Sequence, residues 1–107
     1  MSYDRNIYYY PEAHGLVKVA EHELSEPCYS YDTICVWKND LGFYLGTDSG
    51  CSCPTPFENY NGVSDLTGPL TAEQAVSEAK SIRKNSYSPK YDKAGWKAFK
   101  QAILESR

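Results

Sequence analysis

One stretch in the middle of the chain decides the fold: Tyr31-Asp32-Thr33-Ile34-Cys35-Val36-Trp37-Lys38-Asn39-Asp40-Leu41-Gly42-Phe43-Tyr44-Leu45-Gly46-Thr47. Its first eight residues are rich in β-branched and aromatic side chains, which is typical of a strand. Their alternation puts Ile34 and Val36 on one face and Trp37 on the other. A polar turn follows and ends in Gly42, where glycine can supply a positive φ. We therefore predict a β-hairpin, whose second strand covers the last five residues of the stretch.

The segments on either side of this hairpin complete a small α+β fold. Residues 16–24 contain further β-branched side chains and predict another strand. Thr71 and Gln74 form a capping-box pattern, and apolar residues recur at helical spacing from there to about Asn85. A second helix is predicted to start at Ser88-Pro89, since proline is tolerated in the first turn. Its apolar stripe consists of Trp96, Phe99 and Ile103.

Length and composition indicate a single domain over residues 1–107. The chain has 107 residues, of which 41% are hydrophobic and 23% charged, as in ordinary globular proteins. We predict a sheet region over about 7–48, a loop over about 48–70 and a helical hairpin over about 71–105. The fold class is α+β, with an antiparallel sheet of three or four strands packed against two C-terminal helices. No run approaches the roughly 18 apolar residues of a membrane helix, so no membrane partner is expected.

Charge is divided unevenly along the chain. Residues 1–70 hold three basic and ten acidic side chains, whereas residues 71–107 hold eight basic and four acidic ones. The excess of Tyr, ten residues in all, also suits half-buried surfaces and contact patches. Four lysines follow one face of the second helix and offer a weak nucleic-acid surface as one alternative function: Lys90, Lys93, Lys97 and Lys100.

The most distinctive segment opens the predicted loop. Two prolines stiffen it, and a rigid, displayed loop lowers the ordering cost of binding a partner. We predict that it forms the binding site of a non-catalytic protein-binding module. The candidate residues are Asp48, Ser49, Gly50, Cys51, Ser52, Cys53, Pro54, Pro56, Phe57 and Glu58.

The cysteines allow a second hypothesis, a zinc-binding module. Zinc favours four ligands from Cys or His, and Cys35, Cys51 and Cys53, with Cys28 as a further candidate, could supply them. The Cys-x-Cys spacing departs from the usual Cys-x2–4-Cys, so no metal or other cofactor is expected in the main hypothesis.

The two histidines complete the set of chemically interesting residues. A nucleophilic cysteine would need His14 or His22 as its base, and neither lies in a catalytic signature. His14 precedes Gly15 and is expected in a turn. His22 lies between Glu21 and Glu23 and is expected on a solvated strand face. We therefore predict no catalytic residue and no enzyme.

Residues 16–60 resemble a family of small uncharacterised proteins encoded by actinobacterial viruses of the mycobacteriophage kind. The element Asp-Ser-Gly-Cys-Ser-Cys-Pro-Thr-Pro-Phe-Glu at 48–58 carries most of this resemblance. It implies a viral product in the host bacterial cytoplasm, outside the virion, and it transfers no activity or site residue. The predicted partner is a host or viral protein rather than nucleic acid. A homodimer through an uncovered edge strand is compatible with the sequence.

Overall fold

A computed structural model describes residues 7–24, 30–51, 62–86 and 90–107. These residues form a four-stranded antiparallel sheet, with strands in sequence order, and two helices. The elements are β1 (Val17–Glu23), β2 (Ser30–Asn39), β3 (Gly42–Cys51), β4 (Thr67–Leu70), α1 (Ala72–Lys84) and α2 (Lys93–Glu105). The predicted α+β fold is confirmed.

The hairpin of β2 and β3 is the centre of the sheet. Asn39 pairs with Gly42 across the turn, and the Asn39 side-chain oxygen accepts a hydrogen bond from the Leu41 backbone N–H at 2.8 Å. Gly42 has a φ of 148°, and a Cβ there would lie 2.8 Å from the backbone oxygen of Leu70. Glycine is therefore required both by the turn and by the close approach of β4.

The helices cover one face of the sheet, as predicted. Ile34 and Val36 of β2 lie on this face, together with Phe43 and Leu45 of β3. The helices contribute their apolar stripes to the same cluster of buried residues: Ala72, Ala75, Val76, Ala79, Trp96, Phe99 and Ile103. The predicted stripe of α2 is thus core.

The opposite face of the sheet is also buried, by short irregular segments. Trp37 and Tyr44 pack there with Ile7, Leu16 and Leu66, which belong to the segments flanking β1 and preceding β4. The predicted sheet region starts too early, because residues 7–9 form a turn and Pro11–His14 a 3-10 helix that begins at a proline. This segment covers the sheet instead of extending it.

The two helices begin at side-chain caps. Thr71 Oγ1 accepts a hydrogen bond from the Gln74 N–H at 3.1 Å, and Gln74 Oε1 accepts one from the Thr71 N–H at 2.9 Å. This confirms the predicted capping box, and α1 ends at Lys84 with Asn85 as its C-cap. The second helix begins later than predicted: Ser88-Pro89 lies outside the described residues, 90–92 form a turn, and Asp92 is the N-cap.

The predicted loop over 48–70 contains regular structure at both of its ends. Strand β3 continues to Cys51, and residues 67–70 form the edge strand β4. The sequence gives little sign of β4 because it is four residues long and contains Gly68 and Pro69. An edge strand tolerates proline, since one side of its backbone has no partner strand.

Candidate functional site

The predicted binding segment is divided between β3 and residues outside the described ranges. Asp48, Ser49, Gly50 and Cys51 are the last four residues of β3 and pair with residues 33 to 30 of β2. The remaining six candidates lie outside the described residues: Ser52, Cys53, Pro54, Pro56, Phe57 and Glu58. The role of this segment in binding stays a prediction.

The sheet register separates two of the predicted zinc ligands. Cys35 pairs with Gly46, which is five residues before Cys51 on β3. At about 3.3 Å per residue, their α-carbons lie roughly 17 Å apart, too far for one zinc ion with ligands at about 2.3 Å. Within the described ranges, no three His, Cys, Asp or Glu residues form a group suited to a metal. Cys28 and Cys53 lie outside those ranges.

Cys35 is fully buried, with 0% of its surface exposed. Burial, followed by the nearby Glu21 carboxylate, raises the pKa of its thiol far above the ordinary value. A nucleophilic cysteine needs the opposite shift, because the thiolate is the reactive form. Its environment is therefore that of a small apolar side chain in the core.

The lysine face of α2 is mostly solvent-exposed. Lys90, Lys93 and Lys97 are exposed, whereas Lys100 is half-buried with its Nζ 5.8 Å from the centre of the Trp96 ring. Trp96 is itself buried and offers no stacking platform for a base. The helix face thus supplies positive charge without an aromatic platform among the described residues.

His22 is not on a solvated strand face, as the surrounding glutamates suggested. It is 5% exposed, and its ring lies between β1 and α2, 5.9 Å from the Phe99 ring. The expectation was wrong because His22 pairs with Ile34 in the sheet, on the face that the helices cover. Because successive side chains of a strand point to opposite faces of the sheet, Glu21 and Glu23 lie on the face away from the helices.

A groove of about 530 Å³ runs between β1 and α2 beside His22. Its strand side is formed by residues 20–23, and Phe99 contributes an apolar wall. Its helix side is open because three small residues face it at i, i+3 and i+7: Gly95, Ala98 and Ala102. No larger side chain from these positions of α2 fills the space.

The strand beside this groove has a free backbone edge among the described residues. Strand β1 is the first strand of the sheet and, within the described ranges, pairs only with β2. The Leu24 N–H donates to the Asp32 carbonyl at 2.7 Å. Along an antiparallel strand, the backbone N–H and C=O groups of successive residues point alternately toward and away from the partner strand. Those of Ala20 and His22 therefore also point toward β2. The backbone N–H and C=O groups of Glu21 and Glu23 therefore face outward.

Two buried polar atoms at this edge make no hydrogen bond with the described part of the chain. They are Nε2 of His22 and Oε2 of Glu23. The other oxygen of Glu23 accepts a hydrogen bond from the Thr33 hydroxyl. Buried polar atoms are usually satisfied, so such atoms call for an explanation.

Several charged groups surround His22. Burial lowers its pKa, the Asp92 carboxylate at the start of α2 opposes the shift, and the Arg83 guanidinium of α1 adds to it. Arg83 lies over the Trp96 ring at 4.8 Å and donates from Nη2 to the Tyr91 carbonyl at 2.7 Å. These contacts fix the start of α2 and hence one wall of the groove.

The sequence contains a signal for this groove that the prediction did not use. Gly95, Ala98 and Ala102 repeat at helical spacing beside the apolar stripe. Small residues in such a row mark a helix face that leaves room for a neighbour. Their significance depends on the edge strand opposite them, whose position follows from strand order and not from local sequence.

The chain belongs to a family described as a domain of unknown function (DUF7574), whose model matches residues 5–106. The match covers both the sheet and the helices, and it confirms membership of an uncharacterised family. No curated protein and no solved structure gives a significant match. In the described part of the chain, neither helix has the length and apolar character needed to cross a membrane.

Proposed function

We propose that the protein is a non-catalytic module that binds another protein through the open edge of β1. The observation that carries this proposal is the combination of outward-facing backbone groups at Glu21 and Glu23 with the adjacent groove along α2. Addition of an extended segment to a sheet edge is a recurrent mode of peptide recognition. Main-chain hydrogen bonds give affinity in that mode, and the neighbouring groove takes side chains.

The proposed setting comes from the resemblance of residues 16–60 to actinobacterial virus proteins. In that setting the protein is a small phage accessory protein in the host bacterial cytoplasm, and its partner is a host or viral protein. Binding would modulate that partner without chemistry on it. The segment over 48–58 remains a second candidate contact surface in this proposal.

Site-specific photo-crosslinking tests whether the groove contacts a partner. A benzophenone amino acid replaces exposed Ala98 in the groove, or exposed Ser77 on α1 outside it. Crosslinking is carried out in infected actinobacterial host cells. We expect one dominant protein to be attached at position 98 and not at position 77.

A matched pair of variants tests whether this contact uses the strand edge. Glu21→Pro removes an outward N–H without removing a bond to β2, whereas Glu21→Ala keeps that N–H and removes the same carboxylate. The crosslink from position 98 should be lost in the proline variant and at most weakened in the alanine variant. Equal crosslinking from positions 77 and 98, or none from either, would contradict the proposal.

A further inference from the structure

From the charges and the strand alternation at this edge, we infer the chemistry of the segment that β1 binds. It is an extended segment of the partner protein in which Lys or Arg alternates with small apolar residues. Its apolar side chains enter the groove along α2, and its cations lie beside Glu21 and Glu23. This inference rests on the proposed function and specifies the ligand of the same site.

The apolar positions follow from the face that the groove occupies. Ala20 and His22 lie on the helix side of β1, and every second residue of an added strand would point to that same side. There it meets Phe99, with Ala98 and Ala102 as the opposite wall. This lining favours an aliphatic side chain over a charged one, because burial of an unpaired charge is costly.

The basic positions follow from the carboxylates. The carboxylates of Glu21 and Glu23 lie on the face of β1 away from the helices, where Lys18 forms an ion pair with Glu21, and Asp92 lies at the start of α2. Glu21 accepts hydrogen bonds from the Tyr8 hydroxyl and from Lys18, whereas Oε2 of Glu23 has no partner among the described residues. A cation on the added strand would face these carboxylates, and opposite charges across a strand pair are favourable.

The same carboxylates disfavour a second copy of this chain in the register that pairs β1 with itself about His22. In an antiparallel β1–β1 pair centred on His22, Glu21 of each copy would face Glu23 of the other. Like charges directly opposite each other destabilise a strand pair. A strand with cations at these positions has no such penalty.

Synthetic peptides of about seven residues test the inference on the purified full chain. One alternates Lys with Val, a second alternates Glu with Val, and a third has the composition of the first with its lysines and valines in separate blocks. We expect the first to bind at least tenfold more tightly than either of the others, by fluorescence anisotropy. Its binding should slow hydrogen exchange at the Glu21 and Glu23 amides.

Variants separate groove binding from general attraction to an acidic protein. Ala98→Trp fills the groove and should weaken binding of the Lys-Val peptide at least tenfold. Glu21→Pro removes an edge donor that Glu21→Ala keeps, so it should weaken this binding at least tenfold more than Glu21→Ala does. Leu41→Ser changes a 75% exposed residue at the hairpin turn, away from the groove, and should leave binding unchanged.

Three results would overturn the inference. The first is that the block peptide or the Glu-Val peptide binds as tightly as the alternating Lys-Val peptide. The second is slow exchange of both edge amides in the free monomer, which would mean that this chain already covers its own edge. The third is self-association that protects those amides. If the position 98 crosslink still forms, the first result removes the proposed ligand chemistry and leaves the protein-binding function standing. The second and third results also remove the open edge of β1 as its binding site.

Discussion

His22 packs against Trp96 with ring centroids 5.5 Å apart, at the point where the edge strand meets the second helix. Burial lowers the pKa of this histidine from its ordinary value of 6.5, Asp92 opposes that shift and Arg83 adds to it. The unfolded chain therefore binds a proton at a higher pH than the folded chain. The contribution of neutral His22 to stability is complete above about pH 6.5 and is lost as the pH falls below it.

We accordingly predict that His22→Leu flattens the fall in unfolding free energy between about pH 7 and about pH 5. Urea denaturation at several pH values measures this slope. His14→Asn changes the other histidine of the chain, which is half-buried at the end of a 3-10 helix, and provides the control. An unchanged slope in the His22 variant would show that other groups determine the acid sensitivity.

Gly95 and Asp92 form a second coupled pair, at the start of α2. The Asp92 carboxylate accepts a hydrogen bond from the Gly95 N–H at 3.0 Å, and a Cβ on Gly95 would collide with that carboxylate. We predict that Gly95→Ala is destabilising, although alanine ordinarily favours a helix over glycine by about 1 kcal/mol. In an Asp92→Gly background the collision is absent, so the same substitution should stabilise.

The sign reversal is the test, measured as unfolding free energies of the two single variants and the double variant. Glycine at position 92 is suitable because Asp92 has a φ of 50°, a left-handed conformation that glycine adopts without penalty. If Gly95→Ala changed the unfolding free energy equally in both backgrounds, the Asp92 cap would not be the reason for glycine at position 95.

Sequence patterns predicted those parts of this fold whose signals are local. The Thr71 capping box and the hairpin turn at Gly42 depend on neighbouring residues, and both are present. The alternation in β2 also separated the two faces correctly, with Val36 under the helices and Trp37 opposite. Each of these features follows from interactions within a few residues.

The features that were missed depend on distant contacts. Strand β4 exists because β3 accepts it as an edge, and His22 is buried because α2 covers β1. The two glutamates beside His22 suggested solvent, but alternation sends them to the other face. The groove requires both the position of β1 at the sheet edge and the small residues of α2, and neither signal predicts it alone.

Arg83 should stabilise the junction of the two helices through its shape as well as its charge. It lies over the Trp96 ring and donates to the Tyr91 carbonyl, and a lysine cannot reproduce both contacts. We predict that Arg83→Lys lowers the unfolding free energy by about 1–2 kcal/mol. Exposed Lys84→Gln, one residue away, should change it by less than about 0.5 kcal/mol. Similar losses in both variants in urea denaturation would refute the role assigned to the guanidinium.

The burial of Cys35 predicts an unreactive thiol in the folded protein. Its side chain is enclosed with Trp37, Leu16 and Tyr44, and burial raises its pKa, so both access and thiolate formation are suppressed. In a variant with the other three cysteines changed to serine, we expect negligible reaction with a maleimide in buffer. One thiol per chain should react in denaturing urea, as read by intact-mass spectrometry. Rapid labelling in buffer while circular dichroism shows a folded chain would mean that the sheet opens on this face, and that Cys35 is available for chemistry after all.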